Sequence, residues 1–211
     1  GTRIVAAIRG RDAIYVWTDT SLFIMRFVGA PFVFSFQQVG TNCGLIGKNA
    51  AVEVDGSAYW MSENGFFRYT GKLESLPCLV EDYVYDDINT TPKQHIYAGL
   101  NNLFGEVTWF YAASSEASNS RSVTYNYMDS TPERPVWTTS TLARSTWADS
   151  AIFGRPHGTE YDSDATSDAT VGNTDGVTTY YEHEKGVNQI KAGAATAIAA
   201  SIESGDFDIS A

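Results

Sequence analysis

Three histidines, His95, His157 and His183, are the side chains of this sequence best suited to moving protons near neutral pH. Hydrolytic chemistry would need one of them beside a nucleophile and held by a carboxylate. None sits with Ser or Cys in a nucleophile motif such as G-x-S-x-G, so each reads as a core or surface histidine. Glu182 and Glu184 flank His183, and alternate residues of an extended chain share a face, which makes them a carboxylate pair of the kind acid–base catalysis uses. An exposed strand face is the plainer reading. Asp162, Asp164 and Asp168 cluster within seven residues and offer oxygen ligands to Ca²⁺, but the glycine and distal glutamate of the twelve-residue calcium loop are missing. A solvated acidic loop is expected, with calcium as its alternative. Cys43 and Cys78 stand alone, without C-x-x-C or a histidine pair, and read as small buried residues rather than a disulfide or a metal site. No catalytic, cofactor-binding or metal-binding residue is therefore assigned.

The elements that would position any site are strands. Residues 13–17 and 22–27 are apolar runs rich in β-branched and aromatic side chains, and they flank the polar group Thr18-Asp19-Thr20-Ser21, which predicts a hairpin. Ile14 and Val16 would face one side and Tyr15 and Trp17 the other, so the sheet should be covered on both faces. The pattern returns about 44 residues later in SAYWMSENGFFRY, residues 57–69: an aromatic strand, a polar turn, then an aromatic strand with one arginine. Hairpins repeating at roughly 40 to 50 residues are the spacing of β-propeller blades. The expected fold is all-β, a propeller or propeller-like array of about four antiparallel blades in one domain over residues 1–211, with at most two short helices.

Further elements follow from local pattern. A strand is expected over 4–9, strand material over 43–47 and 50–54, and a tight hairpin at Asp55-Gly56. Phe32, Phe34 and Phe36 point the same way in an extended chain, and Pro31 marks an edge, so the row is either core or a contact surface for a neighbouring subunit. Residues 79–88 place Leu79, Val80, Tyr83, Val84 and Ile88 at helical spacing, and Thr91-Pro92 resembles a capped helix start. Strand pairs are expected at 96–100 with 106–112 and at 121–128 with 135–139, separated by a solvated loop over 114–120. Residues 142–147 read as a further strand, 154 onward as loop, 177–183 as strand, and the alanine-rich 192–202 as strand in preference to helix.

Thirteen per cent aromatic and 18 per cent charged residues describe a chain that folds. The net charge of −11 is uneven: residues 1–75 carry seven Lys/Arg against six Asp/Glu, and residues 76–211 carry seven against nineteen. Such a surface repels phosphate and disfavours a basic nucleic-acid patch. No apolar stretch approaches 18 residues and no leader is evident, so membrane insertion is not expected. Both ends read as cut points in a longer chain, because a strand begins next to Gly1-Thr2-Arg3 and another opens at Asp206-Phe207-Asp208-Ile209.

Taken in order, residues 19–36, 49–71, 76–78, 84–89, 96–111, 121–137 and 202–209 resemble the tail tube or nozzle proteins of short-tailed bacteriophages and the related packaged-DNA stabilisation proteins. Those proteins are much longer and carry β-propeller modules. The resemblance implies a virion structural role in the phage tail without an active site or cofactor. Copies would form a ring beside other tail or portal-adaptor proteins, and DNA would pass through during ejection without tight binding. The rival class is a carbohydrate-binding or glycan-hydrolysing propeller, in which several arginines gather around a carboxylate. Arg9, Arg11, Arg26, Arg68 and Arg144 are available, but the repeated Ser-x-Asp-x-Gly-x-Thr-Trp turn of such proteins is absent.

Overall fold

The computed structural model describes residues 1–162, 177–186, 188–191 and 194–197. The first sheet is the antiparallel meander β1 (Ile4–Arg9), β2 (Ile14–Thr18), β3 (Ser21–Phe27) and β4 (Phe34–Thr41). The β2–β3 turn is held by Thr18, whose hydroxyl oxygen accepts the Ser21 amide at 2.9 Å. Residues 43–47, expected as strand material, lie in a loop that locks onto this turn: the Cys43 amide donates to the Thr20 carbonyl and Leu45 to Thr18, both at 3.1 Å. Gly44 lies so close that a Cβ there would collide with the Asp19 carbonyl. Backbone bonding to a turn has replaced ladder pairing.

The second sheet is β5 (Ala51–Val54), β6 (Ser57–Ser62), β7 (Gly65–Tyr69) and β8 (Leu73–Leu76). Asp55 and Gly56 join β5 to β6 with φ of 49° and 87°, the double left-handed conformation that two-residue hairpins favour. The short β8, unforeseen in the sequence, pairs Glu74 with Arg68 and completes the meander. Helix α1 (Glu81–Asp87) follows as expected, but only Val84 of its predicted apolar stripe is buried, and Leu79 and Tyr83 are exposed. Two turns of helix cover little surface. The turn after Thr91 is a single 3₁₀ turn at Lys93–His95, with Pro92 at its cap and no side-chain capping bond.

The third sheet comprises β9 (Tyr97–Asn101), β10 (Glu106–Tyr111), β11 (Arg121–Asn126) and β12 (Trp137–Ser140), matching the two strand pairs expected. The loop between β10 and β11 is not wholly solvated, since Asn119 is buried. The fourth sheet is β13 (Thr146–Ala148), β14 (His157–Asp162) and β15 (Val177–Glu182), with the short α2 (Ser150–Phe153) between its first two strands. β14 forms where the turn-rich composition after Gly154 predicts loop, because its full pairing with β15 supplies the hydrogen bonds of a strand. The strand reading of the alanine-rich stretch holds at β17 (Ala194–Ala197), which pairs with β16 (Asn188–Lys191).

The first strand of each sheet neighbours that of the next: β1 lies against β5, β5 against β9 and β9 against β13. Asn49 and Tyr97 form a parallel bridge, so β5 and β9 enter in the same direction. Tryptophans fasten the sheets in succession. Trp60 donates its indole N–H to Cys43 O at 2.8 Å, Trp109 to Ala50 O at 3.0 Å and Trp147 to Leu100 O at 2.8 Å. The rings pack across the same junctions: Trp17 on Trp60 at 5.4 Å, Phe66 on Trp109 at 5.0 Å and Phe110 on Trp147 at 5.5 Å between centroids. Each of the three indoles thus adds apolar area and donates a hydrogen bond to a backbone carbonyl across its junction.

Candidate functional site

The predicted chemistry is dispersed. His95 Nδ1 lies 3.2 Å from the Ala117 carbonyl oxygen in the 3₁₀ turn. His157, at the start of β14, meets the Tyr180 hydroxyl. His183 follows β15, where its Nε2 accepts the Arg144 Nε–H at 3.0 Å and its ring packs on Trp147 at 4.5 Å. Burial, then the neighbouring Arg144 and His157, hold its pKa down to about 4, so it is a neutral acceptor and a weak base.

Around His183 the fold builds a polar cluster that the sequence did not disclose. Arg144 is 6% exposed, stands 3.5 Å from the Glu160 carboxylate and lies 3.9 Å over the Tyr181 ring. Asn119 bridges it to the third sheet, donating to the carbonyls of Arg144 at 2.9 Å and His95 at 2.8 Å. A guanidinium so enclosed leaves no room for a substrate, and its pairing with Glu160 makes the group a staple of the fourth sheet. Asn119 and Glu160 are far apart in sequence, with no local signal to single them out.

The other candidates resolve separately. Glu184 has a left-handed φ of 56°, so the strand ends at Glu182 and the two carboxylates do not share a face. Glu182 pairs with Lys185 at 2.7 Å, and Glu184 accepts from Asn101 at 3.3 Å. Asp164 and Asp168 lie outside the described residues, as does the side chain of Asp162. Among the described residues no group of three or more His, Cys, Asp or Glu is placed to hold a metal. Cys43 is buried and Cys78 half-buried; both are free, and burial pushes the Cys78 thiol up to about 12. Arg68 is engaged by Glu74 at 2.6 Å, as Arg144 is by Glu160, so these two arginines do not converge on one carboxylate.

What the fold does assemble is an aromatic and cationic edge. β4 is the outer strand of the first sheet, and Phe32, Phe34 and Phe36 are 75%, 51% and 64% exposed, which removes the core reading of that row. Register places Phe27 opposite Phe34 and Met25 opposite Phe36, and the Phe27 and Phe34 rings meet at 5.9 Å. Ile14, paired with Met25, continues the same face, while Tyr15, Trp17, Leu22 and Ile24 fill the core on the other. The sheet is therefore covered fully on one face only. Arg9, Arg11 and Arg26 come together beside this edge and line a groove of about 300 Å³ with Phe27 and Phe34. This exposed edge strand leaves unpaired main-chain groups and apolar side chains open to solvent.

A second cavity, of about 410 Å³, lies between the first strands of the sheets and is lined by Ala7, Val52, Ala98, Leu100 and Trp147 among others. Among the described residues no helix is long and apolar enough to cross a membrane. No protein-family model and no curated protein matches the chain. Among solved structures it is similar to a 2S albumin seed protein from Dolichos, 13% identical over 86% of this chain and 95% of that one, with a TM-score of 0.31.

Proposed function

We propose that the chain is a β-propeller module of about four blades and that its role is structural: a component of the tail tube or nozzle of a short-tailed phage virion, assembled with copies of itself into a ring. One observation carries the architecture. Four antiparallel sheets follow one another along the chain, each entered by a first strand that lies beside the first strand of the sheet before it. Radial packing of meanders produces this order. The tail assignment rests on the ordered likeness of the sequence segments to nozzle proteins, supported by an edge whose phenylalanines need a partner.

The cavity at the meeting of the first strands has the size of a small-ligand pocket, and a duplex does not fit there. In this proposal DNA passes through the opening enclosed by the ring of copies, and neighbouring tail or portal-adaptor proteins cover the remaining faces. A lining that lets a polyanion slide cannot be coated with Lys/Arg, because released counterions would make binding tight. The surplus of acidic residues after position 75 meets that requirement.

Sedimentation velocity and electron microscopy of the purified chain test the reading. Closed rings or their arcs are expected; a monomer at every accessible concentration would remove it. Phe34→Ser is expected to leave melting within about 0.5 kcal/mol of wild type, since the side chain is exposed, and to weaken association severalfold. Electrophoretic shift across a salt series should show no binding of duplex DNA at physiological salt. Micromolar binding that survives such salt would favour a DNA-gripping plug over a conduit.

A further inference from the structure

The groove of Arg9, Arg11 and Arg26 carries one carboxylate, Asp12, yet among the described residues none of the three arginines joins an ion pair. The opposite arrangement exists two sheets away. The β9–β10 and β11–β12 loops are tied together, Asn126 donating to Phe104 O at 3.2 Å and the Tyr127 amide to Gly105 O at 2.7 Å. They carry Leu103, Phe104 and Met128 at 51%, 51% and 65% exposure. Beside this apolar tip stand three carboxylates, none in an ion pair among the described residues. Glu106 and Glu184 share the Asn101 side-chain amide at 3.4 and 3.3 Å. Asp129 adds its charge; after burial, Glu184 and then Asp129 hold the Glu106 carboxyl above its ordinary range.

Both surfaces lie at the same end of the sheets. The β5–β6 turn stands between them: Gly56 accepts the Tyr15 hydroxyl on the first sheet at 3.0 Å, and Tyr59 of β6 packs on Tyr127 of the second loop at 5.8 Å. With the second sheet between them, the two surfaces of one chain do not meet. We propose that the Arg9–Arg11–Arg26 groove, with Phe27 and Phe34, receives the Leu103–Phe104–Met128 tip and its carboxylates from a second copy of this chain. This names the partner surface of the ring and rests on the structural reading above. Because a basic aromatic face meets an acidic apolar one, the contact is head to tail, the geometry that closes rings where a self-complementary patch would stop at a dimer. Complementary charge sets register and excludes groove-to-groove pairing.

Charge exchange on the whole chain tests it. Arg11→Glu with Arg26→Glu, and separately Asp129→Lys with Glu184→Lys, are each expected to weaken association at least about tenfold in sedimentation velocity, roughly 1.4 kcal/mol. An equimolar mixture of the two double variants should restore it, since each acidic groove then finds a basic tip and each basic groove an acidic one. All four positions are exposed, and an unchanged far-UV spectrum and melt confirm folding. Phe104→Ser gives an uncharged second probe and should weaken association as well. If the Asp129→Lys, Glu184→Lys variant assembles like wild type, or the mixture fails to recover, the groove meets another surface and this inference falls while the ring reading stands. A wild-type chain that never associates removes the ring reading itself.

Discussion

Replacing Trp109 by alanine should cost the protein about 5 kcal/mol, enough to leave a domain of ordinary stability largely unfolded at 37 °C. The side chain is fully buried in β10, its ring packs on Phe66 of β7 and on Trp137 at 6.2 Å, and its indole N–H closes the Ala50 carbonyl. Truncation opens a cavity between the second and third sheets and removes one of the two donors to the Ala50 carbonyl, which keeps the Met61 amide at 3.1 Å. Removing a buried tryptophan ring costs about 3–5 kcal/mol, and the lost indole hydrogen bond adds about 1 kcal/mol. Trp109→Phe keeps most of the ring contact and loses one of the two hydrogen bonds to the Ala50 carbonyl, so it should cost about 1 kcal/mol. Urea unfolding reads both as a shift in midpoint at constant slope. A loss below about 1 kcal/mol for the alanine variant would mean that the two sheets do not depend on this junction.

Acidification should destabilise the fold sharply between pH 6.5 and 4, with His183 as the main cause. In the unfolded chain this imidazole titrates near 6.5; in the fold burial, Arg144 and His157 hold it down to about 4. The folded state therefore refuses a proton that the unfolded state takes. The stabilisation is complete above pH 6.5 and is lost as pH falls towards 4, reaching about 3 kcal/mol at the end of the window. The Arg144 guanidinium and the Trp147 indole contact the ring and His157 acts on it by charge, with Glu160 and Tyr181 completing the cluster through Arg144. Glu106 acts in the opposite sense, since its raised carboxyl pKa favours the folded state as pH falls through its range, and so trims the loss. His183→Gln keeps an acceptor for Arg144 and removes the titration. Its stability should be nearly flat between pH 6.5 and 5, where wild type loses about 2 kcal/mol; equal slopes for the two proteins would place the acid sensitivity elsewhere.

Local information settled the strands that carry their own signal. The pairings of β2 with β3, β6 with β7 and β9 with β10 follow from aromatic and β-branched runs around polar turns, and Asp55-Gly56 specifies its hairpin because few residues tolerate two successive left-handed conformations. The edge position of the phenylalanine row was legible through Pro31. Its exposure was not, since alternating phenylalanines look the same whether a second sheet covers them or not. β8 and β14 were missed for a related reason: weak strand formers become strands when a neighbouring ladder offers its hydrogen bonds, and that neighbour is distant in sequence. The same holds for the Arg144 cluster, drawn from four separated segments, and for the grouping of Arg9, Arg11 and Arg26 on one groove. Composition and turn chemistry by themselves determined an all-β chain with a nearly neutral first third and an acidic remainder. Which charges are buried in pairs and which stand free on a surface was decided only by the tertiary structure, because solvation and Coulomb energy depend on distance in space and sequence separation carries none of it.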